Sequence, residues 1–255
     1  TVTKYHRLRG LSNRIFLRIS RRLIENNYFG NLNTDLRKGN INMLTTTYVS
    51  AMLFSTLLSF FAGFLIGAFF LFFSIVAETP FLIQYGGSMI VRTAKVIFIP
   101  LVLPTITFTA FYLYPYLERK SLTGRIGSEL PFVVIHMGSI SGSGVEPTQI
   151  FKIVGLSRDY AYTRGEIRKV LNQINVYGYD LVTALRNIAR LTPSQPLAEV
   201  LNGLATTITA GGDLKTFFEK RAESLLLNYR LEREKFTKVA ETFMDIYISV
   251  VIATP

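Results

Sequence analysis

Two long stretches of the chain carry no charged side chain and are almost continuously apolar. The first lies within Gly39–Ala77, most apolar at 48–76, and the second runs over 96–117. Each is long enough for a membrane-crossing helix, which needs about 20 apolar residues. A mean hydropathy of +0.31 with 18% charged residues also indicates a membrane protein. The pattern therefore predicts transmembrane helices at about 48–76 and 96–117, joined by a short outside loop and preceded by a basic segment, 1–47.

From Glu118 onward, apolar residues recur at the spacing of amphipathic helices, and no alternating strand pattern of any length occurs. The first three helices are predicted at about 129–141, 147–154 and 159–174. A fourth begins after Asp180, a fifth after Ser194 and a long sixth after Asp213, since Asp and Ser are preferred N-cap residues. The turns between them are predicted at glycines, which tolerate the backbone angles that end helices: Gly144, Gly178, Gly211 and Gly212.

Short connections between amphipathic helices favour an up-and-down bundle. The predicted fold class is thus an all-α membrane protein in which two transmembrane helices precede a six-helix bundle at 118–245. Apolar positions continue along the sixth helix for about thirty residues and lead into Ile246–Ile248. Segment 246–255 is therefore predicted to begin a third transmembrane helix that the sequence cuts off.

The charge distribution predicts the orientation. The net charge is +11, and residues 1–40 hold nine basic side chains against Glu25 and Asp35. Basic segments remain on the cytoplasmic side of membranes, which places the N-terminus and the bundle in the cytoplasm of a multi-pass protein of the cell membrane. The alternative, two short spans within 39–77, would put the bundle outside.

The basic N-terminal segment also shows helical periodicity. Arg14, Arg18, Arg21 and Arg22 recur on one side of a helix, with Leu11, Ile15, Ile19 and Leu23 opposite. This pattern predicts an amphipathic helix that lies at the membrane surface or on the bundle, where its arginines would bind anionic lipid headgroups.

Small residues recur every four positions in the first apolar stretch, at Ser55, Ser59, Gly63 and Gly67. Such a stripe allows close helix packing, either with another span or with a second copy of the chain in a homodimer. The alternative is that small residues are simply common in membrane helices.

No residue set indicates catalysis or a cofactor. The chain has no Cys and two His, which argues against thiolate and His-rich metal sites. No Gly-x-x-x-x-Gly-Lys-Ser/Thr phosphate loop occurs. His136 is interpreted as a core or interface residue. The charge alone does not predict nucleic-acid binding, because no nucleic-acid-binding motif accompanies it. We therefore predict that the protein is not an enzyme.

Six basic residues of the bundle are candidates for a docking face. Three lie on the third predicted helix and three on the sixth: Arg164, Arg168, Lys169, Lys215, Lys220 and Arg221. They either form solvated faces or meet an acidic surface of a partner protein, where charge sets register and association rate.

The order of the bundle motifs resembles one family. Ser141–Val145 closes an apolar helix, Gly178–Leu181 begins another, and Gly211–Leu214 precedes a long charged helix. This order is similar to the type II secretion F domain, in particular to the FlaJ and TadC branch of platform proteins. Thr209-Ala210-Gly211, in place of an acidic turn, favours that branch.

The resemblance implies a membrane platform of an archaeal type IV filament machine, either an archaellum or a pilus. Such a platform docks a hexameric secretion ATPase and couples its movement to the assembly of prepilin-like or archaellin-like subunits. Two alternatives remain: a permease-like subunit driven by an external ATPase, and a membrane-anchored scaffold or sensor. A permease would need polar groups along a pathway, and the two apolar stretches contain no charged residue.

Overall fold

The computed structural model describes residues 2–26, 29–41, 43–75, 82–84 and 89–253. Within these residues the chain forms nine helices and one two-stranded antiparallel hairpin. The helices are α1 (Val2–Glu25), α2 (Gly30–Lys38), α3 (Thr45–Phe72), α4 (Met89–Ser141), α5 (Pro147–Leu156), α6 (Thr163–Asn175), α7 (Leu181–Leu191), α8 (Gln195–Thr209) and α9 (Leu214–Ala253), and the strands are β1 (Phe73–Ile75) and β2 (Leu82–Gln84). The chain divides into a first unit, residues 1–119, and a second unit, residues 120–255.

Two helices are long and apolar enough to cross a membrane: α3 over Thr45–Phe69 and α4 from Val96 onward. The first predicted span thus starts three residues earlier than expected, and its predicted end at Val76 lies outside the described residues. The connection to α4 was predicted as a plain loop. It contains β1 and β2 instead, with Phe73 opposite Gln84.

Helix α4 is continuous over 53 residues, from Met89 to Ser141. A span that ends near Leu117 and a separate helix from Glu129 were predicted, and this separation is wrong. The intervening residues begin Glu118-Arg119-Lys120, which are good helix formers and carry no break signal. The charged residues end the apolar stretch of α4, but they do not end the helix.

A proline within α4 leaves one carbonyl without its usual helical donor. Pro115 has no N–H, so the carbonyl of Phe111, four residues earlier, lacks an intrahelical hydrogen bond. The hydroxyl of Tyr48 on α3 donates to that oxygen at 2.7 Å. Since no water is available inside a membrane, this bond satisfies a carbonyl that would otherwise be costly.

We predict that Tyr48→Phe lowers the unfolding free energy by about 1–3 kcal/mol, the cost of an unpaired buried acceptor. The substitution keeps the ring, whose centroid lies 6.4 Å from that of Phe111. Thermal unfolding of the detergent-solubilised chain measures the effect. Tyr114→Phe, at an exposed tyrosine of α4, serves as the control. Equal melting temperatures for the two variants would show that the bond from Tyr48 contributes nothing.

Helix α2 packs against the start of α3. Leu32 and Leu36 form a buried cluster with Tyr48, Val49 and Met52, and Phe108 and Phe111 of α4 pack against it. The carboxylate of Asp35 accepts a 2.6 Å ion-paired hydrogen bond from Arg119. Helix α2, within the basic segment, is therefore fixed to both apolar helices of the first unit.

Helix α1 packs along α3. Among its described side chains, Ser12 and Ser20 are buried, and the Ser50 hydroxyl of α3 donates to that of Ser20 at 3.0 Å. Ile19, predicted on the apolar face, is 49% exposed. The side chains of Leu11 and Ile15 lie outside the described residues. Leu23, also on the predicted apolar face, is half-buried. The contact of this face with the membrane surface or with the bundle stays a prediction.

The second unit has one hydrophobic core, to which α4, α5, α6, α7, α8 and α9 contribute. From α5 to α9, each helix packs against the next one in the sequence. The α8–α9 pair is antiparallel, since Gly203 lies beside Phe217 and Glu199 beside Arg221. The up-and-down topology of the whole unit stays a prediction.

Helix α9 is as long as expected, at 40 residues, but only its first part is buried. Phe218 and Ala222 lie in the core, and Tyr229 is half-buried. From Arg230 to Ile252 every residue is exposed within the chain. Beyond Tyr229, the apolar stripe of α9 is therefore not covered by other described residues of the second unit.

Candidate functional site

The predicted turns and caps of the second unit define its helix ends. Gly144, Gly178 and Gly211 have φ of 71°, 70° and 67°, in the left-handed region that favours glycine. Gly212 follows directly, exposed, before the cap of α9. A side chain at any of the three positive-φ positions would strain the backbone, so these glycines fix where α4, α6 and α8 end.

Two aspartates cap helices as predicted. Asp180 accepts from the N–H of Thr183 at 3.0 Å, and Asp213 accepts from the N–H of Thr216 at 2.9 Å. Hydrogen bonds from the side chain and backbone of Thr183 lower the pKa of the Asp180 carboxyl, and those from Thr216 do the same for Asp213. Both caps therefore stay ionised at neutral pH. Their stabilising effect is lost only as the pH falls through these lowered values.

The basic residues of α6 are engaged within the unit. Arg168 Nε donates to the carbonyl of Gly155 at 3.0 Å, and Arg164 donates to that of Ser157 at 3.2 Å. Both carbonyls lie at the C-terminal end of α5, where helices have unpaired acceptors and favour cations. Lys169 forms a 2.7 Å ion pair with Glu166, whose side chain is buried. Arg164 and Arg168 therefore have a structural task at the end of α5.

The N-terminus of α6 is capped from a distant helix. Tyr162 at its N-cap position provides no side-chain bond. Glu129 of α4 instead accepts from the N–H of Thr163 at 2.8 Å and from that of Tyr162 at 3.2 Å. Sequence reasoning missed this role because Glu129 lies more than thirty residues from the helix it caps.

The basic residues of α9 are held less tightly by other side chains than those of α6. Lys220 is exposed, Lys215 lies 3.8 Å from Glu219, and Arg221 lies 3.8 Å from Glu199. Ion pairs of this length at a surface hold side chains weakly. Helix α6 packs mainly against α5 and α7, whereas α9 packs against α8. The six predicted docking residues therefore lie on two helices with different packing partners. The α9 patch, Lys215, Lys220 and Arg221, is held less tightly within the unit than the three residues of α6.

A groove of about 630 Å³ runs beside the α9 patch, between α9 and the end of α4. Its α4 side includes Gly138, Ser139 and Gly142, and its α9 side includes Lys215 and Phe218. A Cβ at Gly138 would lie 3.2 Å from the Cβ of Phe218, so glycine permits the close approach of the two helices at this point.

The predicted small-residue stripe meets α4. A Cβ at Gly63 would lie 3.0 Å from Cα of Pro100, and one at Gly67 would lie 3.4 Å from Cα of Val96. Ser59 instead donates to the carbonyl of Thr56 in its own helix at 2.9 Å. The two glycines therefore pack against the second apolar helix of the same chain.

The predicted membrane-surface arginines lie on α1. Arg14, Arg18, Arg21 and Arg22 are all exposed. Within the residues that the structure describes, none of the four has an ion pair or hydrogen bond through its side chain. They are thus available to a ligand outside the chain.

The described residues contain no cluster of metal-ligating side chains. Among them, no group of three His, Asp or Glu side chains is placed to hold a metal ion. His136 is half-buried, with its ring centroid 5.9 Å from that of Tyr160. The arrangement offers helix faces, grooves and charged patches, which suit contacts with macromolecules.

Residues 134–255 match the family described as type II secretion system (T2SS), protein F. Flagella accessory protein J of Methanocaldococcus jannaschii is 25% identical over 158 residues, which are 60% of this chain and 28% of that protein. Flagella accessory protein J of Methanococcus voltae is 22% identical over 152 residues, 59% of this chain and 27% of that protein. The chain thus spans about a quarter of the length of these relatives. No solved structure matches it.

Proposed function

We infer that this chain, a protein of the type II secretion system protein F family and a distant homologue of archaeal flagella accessory protein J, is the membrane platform of a type IV filament machine. Proteins of this family are non-enzymatic platforms of the inner membrane. The observation that carries the proposal is the family match over 134–255, in a chain with two apolar helices long enough to span a membrane.

In the proposed arrangement α3 and the first part of α4 cross the cell membrane. The basic residues of the N-terminal segment place the N-terminus and the second unit in the cytoplasm. The six helices of the second unit form an up-and-down bundle, and α9 returns to the membrane at 246–255, where its exposed apolar residues would enter lipid. The exposed second half of α9 supports this part of the proposal.

The platform docks a cytoplasmic secretion ATPase and transmits its movement to prepilin-like or archaellin-like subunits. We place the docking surface on the α9 patch, defined by Lys215, Lys220 and Arg221, rather than on all six predicted residues. Arg164, Arg168 and Lys169 support the bundle through their contacts with α5 and Glu166. An acidic surface on the ATPase would complement the α9 patch, since charged rims set association rate and register.

Reversing the charge of the α9 patch tests this docking. We expect Lys215→Glu, Lys220→Glu and Arg221→Glu together to weaken ATPase binding at least tenfold, because opposite-charge contacts become repulsive. Stability should change little, since exposed charges contribute little to folding. The measurement is the dissociation constant of the solubilised full chain for its purified ATPase, with a thermal melt of each variant.

The matched control reverses three exposed arginines elsewhere in the same unit, Arg158, Arg186 and Arg190. It changes the net charge by the same amount, so it should alter binding less than threefold. If the α9 variant is well folded and binds the ATPase as tightly as the unchanged chain, the ATPase does not dock on the α9 patch. The family match would not be affected by that result.

A further inference from the structure

We propose that the exposed face of α1 is a binding site for anionic phospholipid headgroups, held at the membrane surface by the contact of α1 with α3. The proposal does not depend on ATPase docking. It concerns four arginines of α1: Arg14, Arg18, Arg21 and Arg22.

The four arginines form one continuous face. At 3.6 residues per turn they fall within an arc of about 100° around the helix. The side chains turned toward the rest of the first unit, buried Ser12 and Ser20 with half-buried Phe16, lie on the opposite side. The arginine face is therefore directed away from the rest of the first unit.

Apolar side chains flank this face. Leu17 is 36% exposed and Ile19 is 49% exposed, and they lie on either side of the arginines around the helix. A stripe of arginines flanked by apolar side chains suits the boundary between lipid headgroups and acyl chains. At this depth, long basic side chains reach the phosphates and apolar side chains contact the acyl chains.

Contacts within the first unit place the end of this face at the edge of the apolar layer. Ser20, next to Arg21, accepts a hydrogen bond from Ser50. Ser50 lies five residues after the start of the first candidate span, Thr45–Phe69. Tyr48 in the same turn of α3 is bonded to Phe111 of α4. The residues that follow Phe111 include three exposed tyrosines, and tyrosines are enriched at the level of lipid headgroups: Tyr112, Tyr114 and Tyr116.

Glu25, at the end of α1, lies on the same face as the arginines, but within the described residues it forms no ion pair with any of the four, so the face keeps a net positive charge. The nearby acidic residue of α2, Asp35, is already paired with Arg119. Guanidinium groups bind phosphate through two parallel hydrogen bonds, which a lipid phosphodiester can accept. Each arginine near a membrane surface contributes about 1 kcal/mol toward anionic lipid, which corresponds to roughly a fivefold gain in affinity.

The test measures lipid binding to the full chain in a neutral detergent. Dioleoylphosphatidylglycerol or dioleoylphosphatidylcholine is added in mixed micelles, and bound lipid is counted by native mass spectrometry. We expect phosphatidylglycerol to bind at least tenfold more tightly than phosphatidylcholine. Replacing all four arginines by glutamine should lower the affinity for phosphatidylglycerol at least tenfold, and replacing them by lysine should retain most of it.

Glutamine at four exposed arginines of the second unit, Arg158, Arg186, Arg190 and Arg230, provides the control with the same charge change. It should alter the affinity less than threefold. If the fourfold α1 variant does not fold, Arg18→Gln with Arg22→Gln should still lower the affinity at least fivefold. Equal binding of the two lipids, an equal loss in the control, or displacement of the lipid by millimolar inorganic phosphate would overturn the proposal.

Discussion

Replacing Phe218 by alanine is expected to lower the free energy of unfolding by about 3–5 kcal/mol, the cost of removing a buried aromatic ring from a packed core. Phe218 is 1% exposed and belongs to the single hydrophobic core of the second unit. It lies against Gly138 of α4, and its ring meets that of Phe217 edge to face at 5.6 Å. The cavity would open between α4 and α9, the two longest helices of the unit.

Chemical unfolding of the detergent-solubilised chain, followed by circular dichroism, measures this loss. Phe236→Ala makes the same chemical change on the same helix, at a side chain that is 72% exposed. It should cost no more than about 0.5 kcal/mol. Similar losses at the two positions would mean that the first half of α9 is not packed into the core, contrary to the structure.

Substituting leucine for Gly63 is expected to cost about 3 kcal/mol, at the upper end of the range for overpacked sites. Even a Cβ at this position would lie 3.0 Å from Cα of Pro100 and 3.3 Å from the carbonyl oxygen of Ile99. Both are backbone atoms, which cannot rotate away as a side chain would. The larger residue must therefore separate α3 from α4.

The sign of the effect makes Gly63→Leu informative. In an exposed helix interior the same change would stabilise by about 0.8–1 kcal/mol, because glycine is a poor helix former. Ala110→Leu, at an exposed position of α4, is the matched control and should be close to neutral. A gain in melting temperature at Gly63 would contradict the close packing of the two apolar helices.

Local chemistry made much of the second unit predictable. The caps at Asp180 and Asp213 and the turns at Gly178 and Gly211 depend on residues within four positions of one another. The presence of α5, α6, α7 and α8 was predictable from helical spacing, because each amphipathic helix buries one face regardless of its partner. The family resemblance, read from the same motifs, is confirmed by the match over 134–255.

Features that depend on distant residues were not predictable in this way. Glu129 caps α6 from another helix. Arg164 and Arg168, for which the pattern allowed a solvated face or a docking face, donate hydrogen bonds to the end of α5. The burial of Ser12 and Ser20 on α1 was not predicted either, because polar hydroxyl residues give no apolar signal. One signal was available: Pro115 within a helix implies an unpaired carbonyl, and hence a donor such as Tyr48.

The absence of charge within the two apolar helices bears on the choice between a platform and a permease. In the described parts of α3 and of α4 over 96–117, no Asp, Glu, Lys, Arg or His occurs. Transport paths usually require such groups inside the membrane. The two helices are therefore better suited to anchoring and packing, as a platform requires.

The most direct test of the platform proposal is the set of proteins bound to the full-length protein in its own membranes. The protein is solubilised gently, purified by affinity at moderate salt, and its partners are identified by mass spectrometry, with the α9 charge-reversal variant purified in parallel. The proposal predicts that a secretion-type ATPase and prepilin-like subunits copurify, and that the ATPase is lost from the variant. Recovery of a solute-binding protein or a transport-type ATPase instead would contradict the platform proposal and support a permease-like subunit.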